Sequence, residues 1–205
     1  VTVEHVEFIV EEPSAEAALA VLLPRMLGGI THAIHAHRGK HDLLRSLPGR
    51  LQGYVRWLPA SWRIAILVDQ DDEDCKALKR RLERICASSG LNTRRRPALS
   101  PAWTVVNRVA VQELESWFFG DWDAVAEAYP GVPATLPRQA RFRDPDAITN
   151  TWEALERVLK QAGYHAAGLP KITAARDIAE HMDPARNRSH SFQVLRATLE
   201  DIVRM

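Results

Sequence analysis

Residues 63–75 read R-I-A-I-L-V-D-Q-D-D-E-D-C, an unbroken apolar run that ends abruptly in carboxylates. Ile64 to Val68 is short and rich in β-branched residues. That is the pattern of a strand buried on both faces, as in a parallel sheet. Asp69, Asp71, Asp72 and Asp74 then crowd the point where the strand ends and a helix should start. Ligands of open α/β sheets gather outside the carboxyl ends of strands. One of these aspartates is expected to be an ordinary helix N-cap, since acidic first turns suit the helix dipole. Four of them exceed what a cap needs. Like charges this close call for an offsetting cation, and a hard divalent ion takes oxygen ligands.

The rest of the chain agrees with an α/β reading. It has 205 residues, 46% of them hydrophobic, which suits one globular domain or a domain with a sizeable insertion. The net charge of +1 supplies no broad field toward a polyanion, so any nucleic-acid contact must use a local basic surface. The two cysteines, Cys75 and Cys86, share one expected helix and match no zinc spacing. They read as reduced thiols of a cytoplasmic protein. No apolar run reaches membrane-span length and no signal peptide is visible.

In chain order, Val3 to Val10 reads as a first strand that ends in Glu11-Glu12-Pro13-Ser14. A helix over Ala15 to Leu27 follows, with Ser14 as its cap and Pro24 expected to end or kink it. Thr31 to Arg38 is a short strand or loop with His32, His35 and His37, and reads as an exposed connector. Gly39 beside Arg38 and Lys40 could approach a phosphate. A helix over Asp42 to Leu58 is expected to be interrupted at Pro48-Gly49. Asp74 to Ser88 is amphipathic, with Cys75, Leu78, Leu82 and Ile85 on one face and Lys76, Lys79, Arg80, Arg81 and Arg84 largely elsewhere. Arg94, Arg95 and Arg96 read as a solvated run. A further strand, Trp103 to Val111, leads into Glu113-Leu114-Glu115.

Residues 130–145 read as a long loop. Asn150 and Glu153 have capping-box spacing. Lys171 lies in a helix first turn, where a cation opposes the dipole. Asn187 to Phe192 caps the last helix, whose stripe is Phe192, Leu195, Leu199 and Ile202.

Three strand ends therefore carry acids: Glu12 and Glu16 across one turn, Asp69-Gln70-Asp71, and Glu113 with Glu115. This order resembles the Toprim (topoisomerase–primase) fold, including the nucleases of the overcoming-lysogenization-defect type. Pro13 stands where that family usually has glycine. The whole chain is still more similar to an uncharacterised bacterial Toprim-like family, through Glu11 to Glu16, Gly39-Lys40 with Asp42 to Pro48, Leu67 to Cys75, and Glu113 to Trp117. The resemblance implies a Rossmann-type, mainly parallel sheet over residues 1–120, flanked by helices, with a helical part over 121–205 packed on the same domain.

It also implies a nuclease dependent on Mg²⁺ or Mn²⁺. Phosphodiester hydrolysis needs an activated water and neutralised transition-state charge, which two such ions can supply. The expected central ligands are Glu12, Asp69 and Asp71, with Glu16, Glu113 and Glu115 completing one or two sites and Glu11 as the alternative first ligand. Lys40 or Lys171 would neutralise developing charge. Expected partners are DNA or RNA, a partner ATPase of an anti-phage or mobile-element locus, and a second copy in a homodimer. The alternative is a non-catalytic binding or effector subunit beside that ATPase.

Overall fold

The computed structural model describes residues 2–94 and 103–205. Its centre is a four-stranded, wholly parallel sheet in the order β2-β1-β3-β4, formed by β1 (His5–Val10), β2 (Thr31–Ala36), β3 (Trp62–Asp69) and β4 (Val105–Ala110). The helices are α1 (Pro13–Met26), α2 (Lys40–Trp57), α3 (Cys75–Ser88), α4 (Glu115–Gly120), α5 (Trp122–Ala128), α6 (Thr151–Gln161), α7 (Lys171–His181) and α8 (His190–Val203).

The sheet is covered on both faces, which is why Ile64 to Val68 of β3 is apolar throughout rather than alternating. Ile9, Ile64, Ile66 and Val68 pack with Leu43, Leu47 and Leu51 of α2 and Leu78 and Leu82 of α3. Val6, Phe8, Val10, Ala65, Leu67 and Val106 face the other way, into a larger core built with α1 and α4 to α8. The C-terminal helices therefore share one core with the sheet. Trp117, Phe8, Phe118, Phe119 and Phe192 are its largest fully buried side chains.

The chain leaves β1 toward β2 on one side and returns to β3 on the other. The strand order thus reverses between β1 and β3, the crevice where open sheets place their ligands. Parallel alignment also puts the carboxyl ends of β1, β3 and β4 at one edge. The three acid-bearing strand ends are consecutive neighbours there.

Several local expectations are corrected. Pro24 does not end α1: the helix runs on to Met26, and Arg25 donates to the carbonyls of Met182 and Ala179 at 2.8 and 2.5 Å. Likewise α2 is continuous through Pro48 and Gly49. Four buried leucines on its face hold it against the sheet and outweigh the lost backbone bond, a tertiary override of a local breaker. Residues 130–145 are not a bare loop. They carry short 3₁₀ turns at Leu136–Arg138, Ala140–Phe142 and Pro145–Ala147, pinned by buried Leu136 and Phe142.

The histidine-bearing segment is the edge strand β2 rather than a free connector. His35 Nε2 and the Tyr54 hydroxyl meet Glu7 Oε2 at 2.5 and 2.9 Å. That partnership is what allows Glu7 to be buried. Arg94 is no solvated arginine either, because it pairs with Asp201. Arg95 and Arg96 lie outside the described residues.

Candidate functional site

Glu11 leaves β1 into the β1/β3 crevice and is only 6% exposed. Its Oε2 accepts from the Asp69 backbone N–H and its Oε1 from the Lys40 N–H, each at 3.0 Å. One carboxylate thus ties together the ends of β1 and β3 and the start of α2. Gly39 makes this possible. Its φ of +95° turns the chain so that its own N–H reaches the Glu11 carbonyl and the next N–H reaches the carboxylate. Burial pushes Glu11 up to about 7, although the Asp69 N–H and Lys40 pull the other way.

Asp69 closes β3 and is partly buried. Loss of hydration, then the charges of Glu115, Glu11, Asp71 and Glu12, hold its carboxyl well above the usual range. Glu115, at the first position of α4, is 4% exposed and raised to about 7 by burial. Lys171 offsets that rise, while Glu113 and Glu12 add to it. Five carboxylates from three strand ends, Glu11, Glu12, Asp69, Asp71 and Glu115, therefore act on one another.

Two cations frame them. Lys40 Nζ donates to Asp71 Oδ2 at 2.7 Å and to the Gln70 carbonyl at 3.1 Å, and lies 3.5 Å from Glu73. Lys171 stands over the Trp152 ring at 4.7 Å, on the Glu115 side. Its place in the first turn of α7 has a tertiary reason: it faces a buried acid.

The loops after β3 and β4 are linked and strained. Asp71 and Gln112 both adopt positive φ, 50° and 61°, and the Asp71 N–H donates to the Gln112 carbonyl at 2.8 Å. Left-handed backbone at non-glycine residues costs about 1–3 kcal/mol each and gathers at functional sites.

The remaining sequence candidates divide. Glu12 is the N-cap residue of α1 and accepts from the Ser14 hydroxyl at 3.3 Å. Pro13 occupies the first helical position, where a fixed φ and a missing N–H are both harmless, so it replaces glycine without cost to the helix start. Glu16 lies one turn further along α1 and is not among the leading charges acting on Asp69 or Glu115.

Glu113 has another task. Its Oε2 accepts from the Thr151 hydroxyl at 2.6 Å and the Trp152 N–H at 2.9 Å, capping α6 from a distant loop. Asn150 takes a left-handed conformation and makes no side-chain cap, so the capping-box expectation fails at that position. Asp74, by contrast, caps α3 as expected, accepting from the Ala77 N–H at 2.6 Å. Sequence reasoning missed Glu73 as a Lys40 partner and Gln112 as a strained hinge. In the run Asp71-Asp72-Glu73-Asp74 no local signal separates one acid from the next.

The donor set fits a hard divalent ion by chemistry: all oxygen, partly buried, mutually repelling, with too little nearby positive charge. Among the described residues no three His, Cys, Asp or Glu side chains are grouped so as to hold a metal ion. In this arrangement Asp71 is engaged by Lys40 instead. Among the described residues no helix is long and apolar enough to cross a membrane.

In comparisons with known proteins, the family described as a domain of unknown function, DUF4276, matches residues 10–200. No curated protein and no solved structure matches the chain.

Proposed function

We propose that this chain, which belongs to the DUF4276 family, is a Mg²⁺- or Mn²⁺-dependent phosphodiesterase of Toprim type acting on nucleic acid. The observation that carries the reading is the convergence of Glu11, Glu12, Asp69, Asp71 and Glu115 on the crevice where the strand order reverses. A structural role alone gives no reason to bury Glu11 and Glu115 within reach of other carboxylates, since each ionised pair costs stability.

Asp69, Asp71, Glu12 and Glu115 would hold the ion. Once bound, it supplies an activated water and neutralises charge on the reacting phosphate. Glu11 is a positioning residue: it spends both oxygens on backbone N–H groups and fixes where Asp69 and Lys40 stand. Lys40 holds Asp71 in place and brings a positive charge to the mouth of the crevice. Lys171 offsets Glu115 from the opposite side. Glu113 and Glu16 are left out of the ligand set.

A second reading has its own observation. Lys40 already neutralises Asp71 and Glu73, as in a site whose acids and cations stabilise each other without a metal. That favours a non-catalytic effector subunit working with a partner ATPase.

One experiment separates them. Single- and double-stranded DNA and RNA are incubated with wild type and with Asp69→Ala, in Mg²⁺ and then Mn²⁺, after circular dichroism has shown both proteins folded. The nuclease reading expects metal-dependent cutting by wild type and none by the variant. No cutting by wild type in either metal would leave the effector reading in its place.

A further inference from the structure

The acidic centre cannot hold a polyanion by itself. Its carboxylates repel phosphate, and the net charge of +1 offers no general attraction. If the centre acts on nucleic acid, cations close to it must carry the backbone. Among the described residues such a group stands beside Lys40, between α2 and α3.

Between α2 and α3 lies an open cavity of about 390 Å³, lined by Lys40, His41, Leu44, Arg45, Glu73 and Arg81. Its volume is in the range of small-ligand sites, ~300–1,000 Å³. Lys40 is the shared wall: the same ammonium that lines the cavity is 2.7 Å from Asp71 of the acidic centre. Three cations stand against one carboxylate there. Glu73 is already engaged by Lys40.

The two arginines are available. Arg81 is exposed and has no carboxylate partner among the described residues. Among the described residues Arg45 pairs with Asp42 alone, three residues away on the same helix. Such a pair contributes little and exchanges readily. Guanidinium forks match phosphate oxygens in a bidentate manner. Leu44, nearly buried, gives the floor an apolar patch suited to a sugar.

We infer that this α2–α3 cavity is a phosphate subsite that seats the nucleic-acid backbone beside the acidic centre, with Arg45 and Arg81 as its anion-binding groups. The inference rests on the nucleic-acid reading of that centre. A second basic cavity, lined by Lys76, Lys79, Arg80, Glu83 and Arg94, lies on the other flank of α3. Its Arg94 is committed to Asp201, and none of its lining residues touches the acidic centre. It serves as the internal control.

The test is binding rather than cleavage. A fluorescein-labelled single-stranded oligonucleotide is titrated by anisotropy in Ca²⁺ over a series of salt concentrations. Wild type is compared with Arg45→Ala/Arg81→Ala and with Lys76→Ala/Arg80→Ala, which removes the same charge from the control cavity. Each phosphate contact on a single strand contributes ~0.7 to the slope of log affinity against log salt. The first variant should therefore bind more weakly and flatten the slope by roughly 1.4, while the control pair keeps the wild-type slope. Equal flattening by both pairs would mean diffuse attraction and overturn the subsite, as would a wild type that does not bind. Wild type that binds with the expected variant pattern, yet cuts nothing in Mg²⁺ or Mn²⁺, would sink the nuclease and leave the subsite standing.

Discussion

Replacing Glu115 by glutamine should stabilise the metal-free protein, and the stabilisation should depend on pH in one direction only; under the proposed function it should also abolish cleavage. Glu115 is 4% exposed, and its carboxyl is lifted from an ordinary 4.5 to about 7. The folded state therefore holds this proton more tightly than the unfolded chain does. Between those two values the folded protein binds more protons, so stability falls as pH rises and the loss is complete above about 7. At ~1.36 kcal/mol for each pH unit separating the two values, the destabilisation at pH 8 is roughly 3 kcal/mol. Glutamine keeps the shape and cannot ionise, so Glu115→Gln should recover most of that amount.

For a chain of this size, 1 kcal/mol moves Tm by about 2–4 °C. The variant in EDTA at pH 8 should thus melt roughly 6–12 °C above wild type, and close to wild type at pH 5. A bound divalent ion should offset the same charges, so Mg²⁺ or Mn²⁺ should raise the wild-type Tm at pH 8 and barely move the variant's. The assay is thermal denaturation followed by circular dichroism in a matched pH series. A variant no more stable than wild type at pH 8, or equally stabilised at both pH values, would refute the account of Glu115 as a buried acid strained by its own charge.

Two further expectations test the assignment of neighbouring residues. Glu113→Ala removes the remote cap of α6 and should cost about 1–2 kcal/mol in urea denaturation, while the proposed metal-dependent cleavage should survive it. A loss of cleavage as complete as that of Asp69→Ala would return Glu113 to the ligand set. Gly120→Ala should destabilise by about 1–3 kcal/mol through overpacking. A Cβ there would lie 2.2 Å from Asn187 Oδ1 and 2.8 Å from the Ser189 backbone nitrogen, and wild-type stability in the same denaturation would show that this corner can yield.

The helix that Gly120 ends illustrates how far tertiary contacts reach into the local sequence. The Gly120 carbonyl accepts from the Arg188 N–H, and Asn187 donates to the Trp117 carbonyl, so residues nearly seventy positions apart fix one small turn. Nothing in the sequence near Gly120 announces that contact. The same holds for Glu113. Read along the chain it is one of two acids after a strand. Folded, it belongs to α6, because the first turn of that helix arrives beside it with one O–H donor, from Thr151, and one N–H donor, from Trp152, and Asn150 supplies no side-chain cap.

What the sequence determined by itself was the pattern that depends on near neighbours. The continuous apolar run Ile64 to Val68 dictates a strand buried on both faces, and the mostly apolar β1 and β4 agree with it, hence a parallel sheet between layers of helices. The amphipathic stripes of α3, α6 and α8 dictate which sides those helices bury. The acids that follow each of those strands mark one edge of the sheet, that of the candidate site, because parallel strands all end on the same side. Two matters were left to the tertiary structure. One is continuity through Pro24 and Pro48, decided by apolar contacts that outweigh a missing hydrogen bond. The other is the division of labour among the acids. Glu11 is buried and bound to backbone, Asp71 is held by Lys40, Glu113 caps a distant helix, and Asp69 and Glu115 face each other's charge. Their identical chemistry conceals this in the sequence, since a carboxylate's role is set by which donors and charges the fold brings within reach.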